Sequence, residues 1–364
     1  MTKRFLSTLS LMALAVVVAG CAPASVGESQ PISPVSESTE AVLSSELCGG
    51  APMYVDEEPL ELVVAPGSGL NSEPYLLWGI EQDCFERYGL KIINSPNPSQ
   101  ADRNAALIGG SVDVAMSVTT NLIQAPANAG LNLKIVAPIY SLSSNGWDEA
   151  RRARSVDGQL LQNTALLVNP DLGVETVQDL RGLRIGSISY TGPNGLGLYR
   201  ALEEAGIGRD EISAISMSTE LQIAAFQNGE LDGVIVSGAD VANLMASGAQ
   251  FVLYPSVQFL QPGTALVWVT VPDTVENKSE ELSRFREAVR ATNSLLSTQK
   301  GLEDFKGFLV EQYGLSEADT ELTAFPEFPV ADVDPAEFGY LVDELLSEGQ
   351  IEQRVDVAEL SLIF

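Results

Sequence analysis

Residues 101–140 read ADRNAALIGG SVDVAMSVTT NLIQAPANAG LNLKIVAPIY. The first ten have helical spacing and stop at Gly109-Gly110, and VDVAMS (112–117) is a short strand-like run. TTNLIQAPANAG is helical again and ends in glycine, and LKIVAPIY (133–140) is a second strand. Upstream the same alternation appears in LELVVA (60–65), in EPYLLWGIEQDCFERYG as one helix stopped at Gly89, and in LKIIN (90–94). Downstream come TALLVN (164–169), the helical VETVQDLRG, LRIGSIS (183–189), GLGLYRALEEAG, ISAISM (212–217), STELQIAAFQNG, DGVIVS (232–237) and FVLYPS (251–256). ALVWVTV (265–271) is a last strand, followed by helices near 276–298, 301–313 and 335–348. Short strands alternating with helices predict parallel sheets covered by helices on both faces, arranged as two α/β lobes. On such sheets ligands bind at the carboxyl ends of strands, where helix N-termini point into the crevice.

Composition narrows the function. The chain of 364 residues carries 20 Lys+Arg against 49 Asp+Glu, a formal net charge of -29. That field repels phosphate backbones and anionic lipid surfaces, so nucleic acid is not an expected partner. There is no His, which removes Ser-His-Asp triads, His-based zinc sites and the commonest general base together. No metal site, cofactor or enzymatic activity is expected.

The first twenty residues have the form of a secretory signal: Lys3 and Arg4, an apolar run from Phe5 to Val18, then Ala19 and Gly20 before Cys21. Val18-Ala19-Gly20-Cys21 resembles a bacterial lipobox, which implies cleavage before Cys21, lipidation of its sulfur and a lipid-anchored protein on the extracytoplasmic face of the cell membrane. An ordinary signal peptide or a short membrane span is the alternative. Residues 21–46 are rich in Ser, Pro and Glu and predict an extended linker. Export makes a disulfide between Cys48 and Cys84 the expectation, with two buried thiols as the alternative.

Six phrases occur in order along the body: EPYLLWGIEQDCFERYGL, AALIGGSVDVAMS, NAGLNLKIVAP, VQDLRGLRIGS, LYRALEEAGI and AAFQNGELDGVIV. Together they resemble the nitrate/sulfonate/taurine and thiamine-precursor group of ABC-importer substrate-binding proteins. The resemblance implies a type II periplasmic-binding-protein fold, two α/β lobes around a cleft with a hinge. Lobe 1 would be 47–140 with 262–364, and lobe 2 would be 141–261. It implies a small-molecule ligand, an ABC permease as partner, and a monomer. A ligand-sensing surface lipoprotein serving a receptor is the alternative, and a catalytic relative on the same fold is a remoter one.

The candidate ligand residues follow from the strand ends. In lobe 1 they are Ser68, Gly69 and Asn71 after the first strand, and Ser117 and Thr119 after the third. In lobe 2 they are Tyr190, Thr191, Asn194, Ser237 and Asp240. Each loop delivers free amides and hydroxyls to a helix N-terminus, although N-capping asks for the same residue types. Asn145 and Trp147, in a polar loop at the presumed hinge, complete the set, with Trp147 as a lid or stacking residue. Tyr75 is a further aromatic candidate, whereas Trp78 and Trp268 read as packing. Arg151, Arg152 and Arg154 form the densest basic cluster, and a solvated face is the plainer reading. Asp113 and Asp232 read as turn residues, and SYTGPNGLG fits neither G-x-G-x-x-G nor a P-loop. The loops contain no Lys or Arg, which favours a neutral or weakly anionic planar ligand.

Overall fold

Runs of β-branched and aliphatic residues form ten strands among the residues described by the computed structural model, which are 48, 53–54, 58–67, 72–97, 99–145, 147–152 and 164–361. The signal, the linker, Cys21, Ser68, Gly69, Asn71 and Arg154 lie outside the described residues, and of Arg152 only the backbone is described. In chain order the elements begin with β1 (Leu60–Ala65), α1 (Glu73–Glu81), α2 (Cys84–Arg87), β2 (Leu90–Asn94) and α3 (Gln100–Ile108). Next come β3 (Val114–Val118), α4 (Thr119–Ala129), β4 (Lys134–Leu142) and α5 (Trp147–Arg152). The middle holds β5 (Thr164–Val168), β6 (Arg184–Ser187), α6 (Pro193–Glu204), β7 (Ser213–Ser216), α7 (Thr219–Gln227), β8 (Gly233–Ser237), α8 (Ala239–Ala246) and β9 (Gln250–Leu253). The chain ends with α9 (Ser256–Phe259), β10 (Gly263–Thr270), α10 (Pro272–Asn277), α11 (Ser279–Leu296), α12 (Gln299–Tyr313), α13 (Glu317–Leu322) and α14 (Gly339–Ser347).

The strands make two five-stranded sheets, in the orders β2-β1-β3-β10-β4 and β7-β6-β8-β5-β9. Neither sheet is all parallel, which corrects the expectation from alternation. β1 pairs parallel with β2 and β3, and β6 with β7 and β8, but β10 runs antiparallel to β3 and β4, and β5 antiparallel to β8 and β9. β5 and β10 each follow a crossing from one sheet to the other, so they enter their sheets from the opposite end. An apolar run does not record its direction, which is why the pattern could not reveal this. We call the first sheet with its helices lobe 1 and the second lobe 2.

The lobes repeat one another strand for strand, down to single side chains. Val63 and Asp113 exchange backbone and side-chain bonds across β1 and β3, the Asp113 carboxylate accepting from Val63 N at 2.8 Å and from Lys278 Nζ at 2.7 Å. In the same positions of lobe 2, Asp232 accepts from Arg184 N at 2.8 Å and from its guanidinium at 2.7 and 2.9 Å. These aspartates therefore tie their strand to its neighbour rather than capping their own turn.

Lobe 1 has the larger core. Trp78, Phe285 and Phe305 are sealed in it, and Trp268 packs edge-on to Phe285 with ring centroids 5.8 Å apart. Tyr75 stacks on Phe305 at 5.1 Å and meets Phe328 at 5.3 Å, so it serves the core. The helix foreseen from 73 to 89 is broken at Asp83, which takes a left-handed φ of 58° and starts α2 in a new direction. Cys84, first in α2, is bonded to Cys48, with Cα atoms 4.3 Å apart. The C-terminal helices pack mainly on lobe 1, α11 against β4 and α12 against α1, while α14 rests on α4 and α13 reaches α8 of lobe 2. Among the described residues no helix is long and apolar enough to cross a membrane.

Candidate functional site

α4 of lobe 1 approaches the loop leading into α6 of lobe 2. Gln124 of α4 donates from Nε2 to the carbonyl of Thr191 at 3.0 Å, bridging the lobes. Beside this contact α14 forms an ionic clasp with lobe 2. Arg200 of α6 meets Glu344 and, at 3.5 Å, Glu348, whose other carboxylate oxygen takes Arg209; Arg209 Nε also holds Glu203 at 2.8 Å.

On the lobe 1 side the polar groups at the strand ends are densely cross-linked. Ser117 is buried and its Oγ accepts from Asn121 Nδ2 at 3.0 Å, while the Asn121 and Asn104 amides bond each other at 3.2 and 3.3 Å. Thr119 and Thr120 open α4, whose first amides have no partner within the helix. Both threonines are fully buried, and neither hydroxyl has a hydrogen-bond partner among the described residues.

Arg103 of α3 is only 4% exposed. Its Nε donates to Met116 O at 2.9 Å, one terminal nitrogen to Asn97 O at 2.7 Å and the other to Gln100 Oε1 at 3.3 Å. One guanidinium thus pins the ends of β2 and β3 to α3. Burial pulls its pKa down to about 10, partly offset by Asp102, so it stays charged at neutral pH. Sequence reasoning passed over Arg103 because it is in a helix rather than a loop. Its position four residues after the N-cap Ser99 was the available signal, since that places it on the helix face turned to the sheet.

In lobe 2 the expected residues divide. The Tyr190 ring stacks on Tyr199 at 5.4 Å and its hydroxyl donates to Ile185 O at 2.5 Å. Burial also raises its pKa. Tyr190, half-buried, is thus engaged with its own lobe through its ring and its hydroxyl. Thr191 is exposed, and its hydroxyl lies 3.1 Å from Ser189 Oγ. Asn194, in the first turn of α6, is half-buried. Ser237 is bonded to Thr164 at 2.8 Å, tying β8 to β5.

Asp240 differs from these. It stands half-buried in the first turn of α8, makes no hydrogen bond or ion pair among the described residues, and has its pKa raised by burial and then by Glu220. Near the first crossing Asn145 is exposed, its amide bonded to Ser143 Oγ at 3.0 Å. Trp147 is half-buried and packs on the cores of both lobes. Arg151 is exposed, in keeping with a solvated face. A concavity of about 400 Å³ at the other end of lobe 1 is lined by Leu107, Asp113, Val271 and Lys278. Its charged groups already neutralise each other, so it offers a ligand little. Among the described residues no cluster of three or more His, Cys, Asp or Glu could hold a metal.

Residues 158–298 match the NMT1/THI5 like family model. No curated protein matches the chain. Among solved structures it is similar to the alkanesulfonate-binding protein of Xanthomonas axonopodis pv. citri bound to MOPS, with TM-score 0.65 and 19% identity over 84% of this chain and 99% of that one. It is likewise similar to the periplasmic aliphatic sulphonate binding protein of Escherichia coli, with TM-score 0.62 and 19% identity over 84% and 92%. A third similarity is to the desulfurization enzyme DSZB, with TM-score 0.54 and 13% identity over 82% and 96%. The fold is that of the periplasmic binding proteins, and the family resemblance read from the six phrases is borne out.

Proposed function

We propose that this chain, whose residues 158–298 match the NMT1/THI5 like family model and whose fold is similar to that of sulfonate-binding proteins, captures a small molecule between its lobes outside the cytoplasm and delivers it to an ABC permease. Cys21 would carry the lipid that holds it at the membrane, with 21–46 as the leash. The observation that carries the reading is the bridge from Gln124 to Thr191. It joins α4 to the loop before α6, which supports a site between these two helix starts, where free helix amides suit an oxygen-rich ligand group.

Binding rather than catalysis follows from the residues available. With no His in the chain, and with Cys48 and Cys84 joined to each other, the described site holds no paired nucleophile and base of the usual kinds. The contact set we propose is Thr119, Thr120, Thr191, Asn194 and Asp240, together with Ser68, Gly69 and Asn71, which lie outside the described residues. Ser117, Ser237 and Trp147 position that set, and Asn145 stands at its rim.

A ligand that bridges both walls favours the closed form by its differential affinity for it. The test is a thermal-shift screen of the purified protein against sulfonates, nitrate, amino acids, pyrimidines, flavins and aromatic acids, with small-angle scattering on each hit. One chemotype should raise the melting temperature with dose, by mass action, and shrink the radius of gyration. Stabilisation without compaction would refute capture between the lobes.

A further inference from the structure

α14 carries acids where a helix tolerates them least. Glu344 lies in its last turn and Glu348 directly follows it. Standing one turn apart they repel each other, and both oppose the helix dipole. Leu341, Val342 and Leu345 of the same helix are sealed in the lobe 1 core. The two carboxylates turn instead to lobe 2, where Arg200 lies against both and Arg209 takes the second oxygen of Glu348. The Glu348 side chain is 8% exposed, against 64% for Asp343 of α14, whose pairing with Arg354 stays within the C-terminal segment. A placement that is costly for the helix alone is thus explained by its contact with the other lobe.

The segment that carries these acids is fastened along the whole boundary between the lobes. Near the first crossing Glu327 and Ser141 exchange main-chain bonds of 2.8 and 3.1 Å, and the Glu327 carboxylate accepts from Ser143 Oγ at 2.5 Å. At the second crossing Tyr340 Oη accepts from Gln261 N at 3.0 Å. On α8 of lobe 2 the Asn243 amide faces the Asp319 carboxylate of α13, donating to its two oxygens at 3.0 and 3.2 Å. Asn128 of α4 closes the far end, its Nδ2 donating to Gln350 O at 2.9 Å. The segment therefore runs from α8, past both crossings, to α6, and its helix α14 is rooted in lobe 1. A turn of lobe 2 about the crossings can spare the bonds made to the crossings themselves. It has to strain those at Asp319, Glu344 and Glu348, which reach lobe 2 elsewhere.

We propose that residues 317–348 are a strap ending in an ionic latch: Glu344 and Glu348 hold lobe 2 at its observed angle to lobe 1 without any ligand, and the hold slackens as ionic strength rises. The side chains of Arg209 and Glu344 are 34% and 31% exposed, so counter-ions reach the latch. The screening length falls from about 30 Å at 0.01 M salt to about 3 Å at 1 M. The latch goes beyond the capture reading and does not depend on what the cleft takes up.

The experiment measures the separation of the lobes in the unliganded protein. Spin labels are placed on Ile108→Cys in α3 of lobe 1 and Leu221→Cys in α7 of lobe 2, positions 67% and 62% exposed. The full chain carries Cys21→Ser, and Cys48 and Cys84 are bonded to each other, so only these two thiols react. At about 0.01 M salt, where screening is weak, double electron–electron resonance should give one narrow separation in this labelled parent. Adding Glu344→Gln and Glu348→Gln together should bring in a second separation in at least about a tenth of the molecules, the upper end for a minor state. Salt at about 1 M should move the parent towards that variant and change the variant little. Glu61→Gln with Asp343→Asn removes the same charge from exposed pairs and should match the parent. Arg209→Gln, which opens the latch from the lobe 2 side, gives a second reading should the paired glutamines misfold.

Distributions that coincide for the parent and the latch variants overturn the proposal. So does a control that broadens as much as they do, or a parent indifferent to salt. None of these outcomes touches solute capture, which the ligand screen tests on its own.

Discussion

Replacing Gly197 by alanine tests how tightly lobe 2 is held at the second crossing. Gly197 sits inside α6, and a Cβ built there would lie 1.8 Å from Pro255 O and 2.7 Å from its carbonyl carbon. A methyl group needs 3.0 to 3.4 Å, so the two backbones would have to part by 1.2 to 1.6 Å, the difference from 1.8 Å. Neither side can swing away, because the obstacle is main chain. α9, which follows Pro255, packs Phe259 and Leu260 into the lobe 1 core, and Leu196 of α6 joins that cluster. Overpacking of this kind costs about 1–3 kcal/mol, and the better helix propensity of alanine returns about 1. With backbone on both sides the upper end applies, so Gly197→Ala should lose about 2 kcal/mol. Gly307→Ala is the control: it lies in α12, a Cβ there meets nothing within 4 Å, and it should gain about 0.5–1 kcal/mol. Urea unfolding of both variants, with unchanged slope, reads the difference. If Gly197→Ala stays within about 0.5 kcal/mol of the parent, or gains as Gly307→Ala does, the close approach of α6 to Pro255 is refuted.

Three further outcomes are expected. Glu348→Gln should cost about 1–2 kcal/mol, between the values for exposed and buried pairs, because its side chain is 8% exposed and serves both Arg200 and Arg209. A double-mutant cycle with Arg209→Gln reads the coupling, and less than about 0.3 kcal/mol would show that the clasp does not join the lobes. Asp240→Asn should stabilise the unliganded protein near neutral pH, since a carboxyl whose folded pKa is raised destabilises the fold whenever it is ionised. That gain should fade as pH falls through the raised pKa and vanish below the ordinary aspartate value; a melting-temperature gain independent of pH contradicts this. Replacing both Cys48 and Cys84 by serine, which frees a loop with a sequence separation of 36, should cost about 3–4 kcal/mol by loop entropy. Equal urea midpoints with and without the bond would mean the N-terminal segment adds nothing to the fold.

The sequence alone determined the alternation of elements. β1, β2 and α4 fall where apolar period, glycine stops and helix-start residues place them, because those signals depend only on neighbours a few positions apart. It also carried the acidic, His-free composition and, in six phrases in order, the resemblance that pointed to this fold. The direction of β5 and β10 was settled only when the chain crossed between sheets, since a strand's residues do not record which way it enters. The break at Asp83 and the turning of Tyr190 onto Tyr199 likewise depend on neighbours brought together in space. For the candidate site, Thr119 and Asp240 were legible as helix-start residues after strands, but Arg103 was not. What singles it out is a deeply buried guanidinium whose hydrogen bonds go to two main-chain carbonyls and an amide oxygen, and only the packed structure brings those acceptors to it.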